Sequence, residues 1–170
     1  MCRDEYLYTK VGVARTVEGE HTAEERRAVA VLLGREPREP IQIVVCDELG
    51  APVVISNAPI LEDGVPMPTR YWLIDPSLKV EVSRLESQGG IQEAVHVVDP
   101  DMLQAAHERY ARERDRLIPS SWSGPRPSGG VGGTHHGIKC LHAHLAWMLA
   151  GGDDPVGRFV AERLGIRHAE

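Results

Sequence analysis

Aromatic residues make up only 5% of this 170-residue chain, with a single phenylalanine, so a platform of rings for stacking bases is not expected. Positive charge is also short. The chain has 19 Lys and Arg against 25 Asp and Glu, a net charge of -6, which argues against the basic surface that neutralises phosphates. No apolar run approaches the roughly 18 residues of a membrane helix, and the opening MCRDEYLYTK lacks the apolar core of a secretory signal. These absences predict a cytoplasmic protein that engages neither nucleic acid nor membrane. Three cysteines, Cys2, Cys46 and Cys140, lie too far apart in sequence for a disulfide framework. They are left as free thiols, packed fillers or metal ligands.

What is there suits one domain: 42% hydrophobic and 26% charged residues in a chain long enough to bury a core. Residues 1–20 read as an N-terminal extension with one strand-like stretch, and residues 21–170 as the globular domain. Thr22 and Glu25 form a capping box ahead of a helix over 23–33, with Gly34 placed for a left-handed cap. IQIVVC (41–46) and APVVIS (51–56) predict a hairpin, and RYWLI (70–74) a third strand. Asp-Pro at 75–76, 99–100 and 154–155 marks three helix starts, the Asp capping and the Pro filling the first position. The first of these helices runs to about Gln88 and buries Leu78, Val82 and Leu85. The second, about 100–118, carries Met102, Leu103, Ala106, Tyr110 and Leu117 on one face. Residues 91–98 suit strand or helix equally. Residues 120–133 form a Gly-, Pro- and Ser-rich loop, followed by a helix from about Ile138 to Ala150. The class is therefore α+β: a small antiparallel three-stranded sheet covered by four to five helices.

Chemistry concentrates in GGTHHGIKCLHAHLAWM (132–148). On a helix starting at Ile138, Cys140 and His144 share a face while His142 points away. A metal centre, zinc being the natural ion, needs three or four ligands. Cys46, at the end of the first strand, is the second candidate thiolate, and Asp75 a candidate carboxylate. His135 or His136 could reach in from the loop. The plain alternative is that the cysteines are packed fillers and Asp75 only a cap. A second reading takes the same helix N-terminus, with Gly137 and Lys139, as a site for a small anionic or phosphorylated ligand. There Cys140 would be a thiol nucleophile, with a neighbouring histidine as its base. His107 and Arg114 lie on one edge of the 100–118 helix. Arg84 and Glu86 lie off the apolar face of theirs, and gain interest only if the fold brings them to Cys140. A third reading is a non-catalytic interaction module.

LGREP (33–37), APVVISNAPILEDGVPMPTRYWLIDPSL (51–78), SRLES (83–87), AHERYARERD (106–115) and GIKCLHAHLAWMLAGGDDPVG (137–157) occur in an order that resembles a family of small actinobacterial proteins known only as a domain of unknown function. The resemblance covers about residues 24–160 and implies no assigned activity. It implies a pattern matched at Cys46, Arg84, Glu86, His107, Lys139, Cys140 and His142, and another metal-competent residue, often Cys, where this chain has Asp75. It also implies genes near an enolase, a septum-formation protein and an exopolyphosphatase.

Resemblance thus favours His142 and helical phase favours His144. The metal candidates are Cys46, Cys140, His144, His142 and Asp75. The catalytic candidates are Cys140, His142 and His107, and the anion-binding candidates Lys139, Gly137, Arg84 and Arg114. A shared zinc requires the Cys46 and Cys140 sulfurs to lie within about 4 Å of each other, with His107 and Arg114 orienting a ligand behind them.

Overall fold

The computed structural model describes residues 11–14, 22–37 and 41–166. Most of the N-terminal extension, Cys2 included, lies outside them. Four antiparallel strands form one sheet in sequence order: β1 (Val11–Ala14), β2 (Ile41–Asp47), β3 (Pro52–Asn57) and β4 (Tyr71–Leu73). The three expected strands are joined at one edge by β1, a short strand from the extension. Six helices follow the order α1 (Ala23–Leu33), α2 (Pro76–Ser87), α3 (Gly90–Val97), α4 (Pro100–Asp115), α5 (Leu141–Leu149) and α6 (Pro155–Arg163). The α+β class holds, and the segment that suited either strand or helix is α3.

Local signals act where the sequence placed them. The Thr22–Glu25 box is closed in both directions, and Gly34 takes a left-handed φ of 70°. Asp75, Asp99 and Asp154 each accept backbone N–H groups at the start of α2, α4 and α6. The β2–β3 turn is tied by Asp47, whose Oδ1 accepts from Leu49 and Ala51 at 2.9 and 2.8 Å.

The sheet separates two apolar clusters. The smaller packs Ile41, Ile43, Ile55 and Ile74 under Val29 of α1, with Cys46 and Trp72 at its margin. The larger takes Val45, Val54, Tyr71 and Leu73 from the other face and adds α2 to α6. Strict alternation from Ile41 would send Cys46 to that larger core, but the register of β2 against β3 shifts on either side of Val45. Such an irregularity reverses which face later residues point to. It sends Val45 to the larger core and Cys46 beneath α1.

The innermost helix is α5: Leu141 and every residue from Ala143 to Leu149 are buried. In α4 the expected stripe is narrower than predicted. Leu103, Ala106 and Tyr110 are buried, whereas Met102 and Leu117 are exposed. The space is taken instead by His107 and Arg114, both at most 3% exposed. They fasten the loop ahead of α5. Arg114 donates to the carbonyls of Gly129 at 2.8 Å and Pro127 at 3.3 Å, and to Asp115 at 2.8 Å. His107 accepts from Val131 N–H on Nδ1 at 3.1 Å and donates from Nε2 to the Gly137 carbonyl at 2.9 Å.

Gly130 presses directly on this anchor, since a Cβ there would lie 2.4 Å from the His107 Cβ. Gly130→Ala is therefore expected to lower unfolding stability by about 1–3 kcal/mol, as overpacking does. Urea denaturation with an unchanged m-value is the measurement, and a stability equal to wild type would show that the loop yields instead.

Candidate functional site

α5 begins at Leu141, not at Ile138, and Cys140 is its N-cap in an extended conformation (φ -156°, ψ 121°). This corrects the phase argument: a residue outside the helix does not share its 3.6-residue spacing. Cys140 turns back toward His142, with its sulfur 3.6 Å from His142 Nδ1. Cys140 has no capping bond of its own, and that role falls to another helix. Glu86 of α2 accepts the Leu141 N–H on Oε1 at 2.7 Å. A carboxylate at a helix N-terminus is favoured both by the free amide and by the dipole. The same Oε1 lies 3.3 Å from His142 Nδ1.

The opposite edge of the His142 ring fixes its tautomer. Nε2–H donates to the Lys79 carbonyl at 3.2 Å and lies 3.3 Å from Ser83 Oγ. Nδ1 is then left facing a sulfur and a carboxylate oxygen. Three polar atoms converge on one point, an arrangement that favours a shared proton or a cation there. Without a metal the arrangement favours a proton on Nδ1. The pKa of His142 is held up at about 8, chiefly by the bond to Cys140, with the Lys79 carbonyl and Glu86 adding to it against the effect of burial.

A metal ion is the other occupant the geometry admits. Glu86, Cys140 and His142 each offer a ligand atom within 4.8 Å of the other two. Tetrahedral zinc, with Zn–S about 2.3 Å and Zn–N or Zn–O about 2.0–2.1 Å, separates its ligand atoms by about 3.3–3.6 Å. The 3.6 Å sulfur–nitrogen and 3.3 Å nitrogen–oxygen separations match those spacings. Glu86 Oε1 can accept one N–H and still have a lone pair to offer. The Lys79 carbonyl is the kind of outer partner that orients a ligating imidazole.

The other candidates lie elsewhere. Cys46 packs in the cluster beneath α1, across the sheet from the core on which Cys140 packs, so the structure does not bring the two sulfurs together as expected. His144 is 1% exposed inside the core, its Nδ1 2.7 Å from Asp154 Oδ2. Asp154 also caps α6 through Val156 and Gly157, so this pair joins α5 to α6. Asp75 accepts from Leu78 N–H at 2.7 Å as the cap of α2. His107 has both ring nitrogens engaged by the loop, and its pKa is pushed below the ordinary value, first by burial. His135 and His136 are exposed on the loop.

Nor are the anion candidates gathered. Arg84 pairs with Glu81, Arg114 is committed to loop carbonyls, and the Gly137 carbonyl accepts from His107. Lys139 is exposed. The amide of Leu141, which a phosphate would seek, is already held by a carboxylate. Glu86 is the site residue that spacing alone did not select, since its partners lie more than 50 positions away. The family pattern included it.

The fold and the site define an α+β domain with a Glu/Cys/His group able to hold a metal. By its sequence, the chain belongs to the family described as "Protein of unknown function (DUF501)", whose model matches residues 43–162. No curated protein and no solved structure matches it. Among the described residues, no helix is long and apolar enough to cross a membrane.

The proton on His142 makes metal-free protein sensitive to pH. The folded chain keeps that proton above the ordinary value of 6.5, so the stabilisation is full below 6.5 and is lost as pH rises through about 8. With a chelator present, NMR should place the His142 titration near 8, and Cys140→Ala should move it down. An unchanged midpoint in that variant would show that the sulfur is not what holds the proton.

Proposed function

We propose that this protein binds a transition metal, zinc, through Glu86, Cys140 and His142. The observation that carries the reading is the convergence of a sulfur, an imidazole nitrogen and a carboxylate oxygen within 4.8 Å of one another, with sulfur–nitrogen and nitrogen–oxygen separations that match a tetrahedral ion. Thiolate and imidazole together suit zinc better than magnesium or calcium, which take oxygen ligands. Three protein ligands leave a fourth position for water or a bound molecule, the pattern of reactive rather than purely structural zinc. A Lewis acid in that position would polarise an oxygen bound to it.

A second reading rests on the 3.6 Å contact between Cys140 and His142. Without a metal, Cys140 would serve as a nucleophile, its thiolate held by the protonated His142 ring. The two readings separate on zinc's effect toward iodoacetamide: a bound ion shields the sulfur, whereas a nucleophile alkylates equally with and without zinc.

Elemental analysis of protein purified without a histidine tag is expected to give about one zinc per chain. Cys140→Ser and Glu86→Gln should each weaken zinc binding by more than about tenfold. Glu86→Gln keeps a carbonyl oxygen for the Leu141 amide, which separates ligation from helix capping. A content well below one per chain, unchanged in Cys140→Ser, would remove the proposal.

A further inference from the structure

The cluster opens onto a cleft of about 460 Å³ that includes Cys140 and His142 in its wall. That volume falls in the range of small-molecule sites. The cleft lies beside β4, the edge strand of the sheet among the described residues, so side chains from both sheet faces reach it. Leu33, Met67, Trp72 and Leu73 make most of its surface apolar. The polar edge of Trp72 is turned to the backbone, its indole N–H donating to the Thr69 carbonyl at 2.9 Å. The Tyr71 hydroxyl is likewise spent on Glu113. The walls therefore offer body contact with little hydrogen bonding.

Among the described residues lining the cleft, Lys79 is the one with a charged side chain apart from His142. Among the described residues its ammonium makes no ion pair, and it is exposed on α2. A zinc ion's two positive charges would be matched by the Cys140 thiolate and the Glu86 carboxylate. Lys79 then remains as the uncompensated charge among the residues lining a cleft whose ion has an open position. A monoanion fits that balance, and a phosphate dianion fits it less well.

We propose that this cleft binds a small carboxylate with an apolar body, its carboxylate at the metal's open position beside Lys79 and its body along Trp72, Leu73 and Met67. The inference rests on the zinc reading and adds the class of ligand. Neither part of such a ligand suffices alone. An apolar group without the anion leaves Lys79 and the ion unanswered, and a bare anion leaves the apolar wall wet.

The test uses the full chain, with its zinc content measured beforehand, and three probes followed by calorimetry: 4-phenylbutyrate, acetate and 4-phenylbutyramide. The expected result is that 4-phenylbutyrate binds at least about tenfold more tightly than either of the others. The Lys79→Met variant, a change on an exposed face that leaves the Lys79 carbonyl in place, should weaken 4-phenylbutyrate by at least about threefold and leave zinc content unchanged. Cobalt-substituted protein should change its visible spectrum with 4-phenylbutyrate and not with the amide. Full zinc content with no discrimination among the probes overturns the ligand inference and leaves the zinc reading standing. A chain that binds no zinc overturns the zinc reading and, with it, this inference.

Discussion

The bond from the Leu141 amide to the Glu86 carboxylate is the constraint on which the site depends. It joins the end of α2 to the start of α5, two helices distant in sequence that share one core. It supplies the cap that Cys140 does not make, and so leaves the cysteine sulfur free to turn toward His142. A carboxylate drawn in for helix capping is thereby delivered to a thiol and an imidazole. Structural chemistry and candidate ligand chemistry use the same oxygen.

That arrangement needs a fixed loop ahead of α5, which His107 and Arg114 provide from inside the core. Each is a polar side chain with its donors turned to the loop's backbone carbonyls and, for Arg114, to Asp115, rather than to a ligand. Burying such groups is favourable only when they are hydrogen-bonded. Their roles explain why an Arg and a His sit on the apolar face of α4 while Met102 is exposed. Between α5 and α6, His144 is tied through Nδ1 to the Asp154 carboxylate at 2.7 Å, while its buried Nε2 has no hydrogen-bond partner among the described residues.

Much of the fold was legible because its signals are local. A capping box, three Asp-Pro starts and a turn ending in Gly50 act on residues within a few positions of each other, and all sit where the sequence placed them. The site was only half legible. The sequence points to Cys140 and His142, but a helix read from Ile138, three residues before the observed start, gives weight to His144 through a spacing that does not apply outside the helix. Cys46 departs from the position expected beside Cys140 for another non-local reason: the irregular pairing around Val45 turns it beneath α1, and no residue of IQIVVC announces that slip. Glu86 could not be selected by spacing, because α2 meets α5 only through tertiary packing.

The central claim is that one ion is shared by one sulfur and two lighter atoms. X-ray absorption at the zinc edge of the loaded protein tests it most directly. The account predicts a single sulfur at about 2.3 Å with nitrogen and oxygen neighbours at about 2.0–2.1 Å, and loss of the sulfur shell in Cys140→Ser. A spectrum with two sulfurs, or with none, would contradict it.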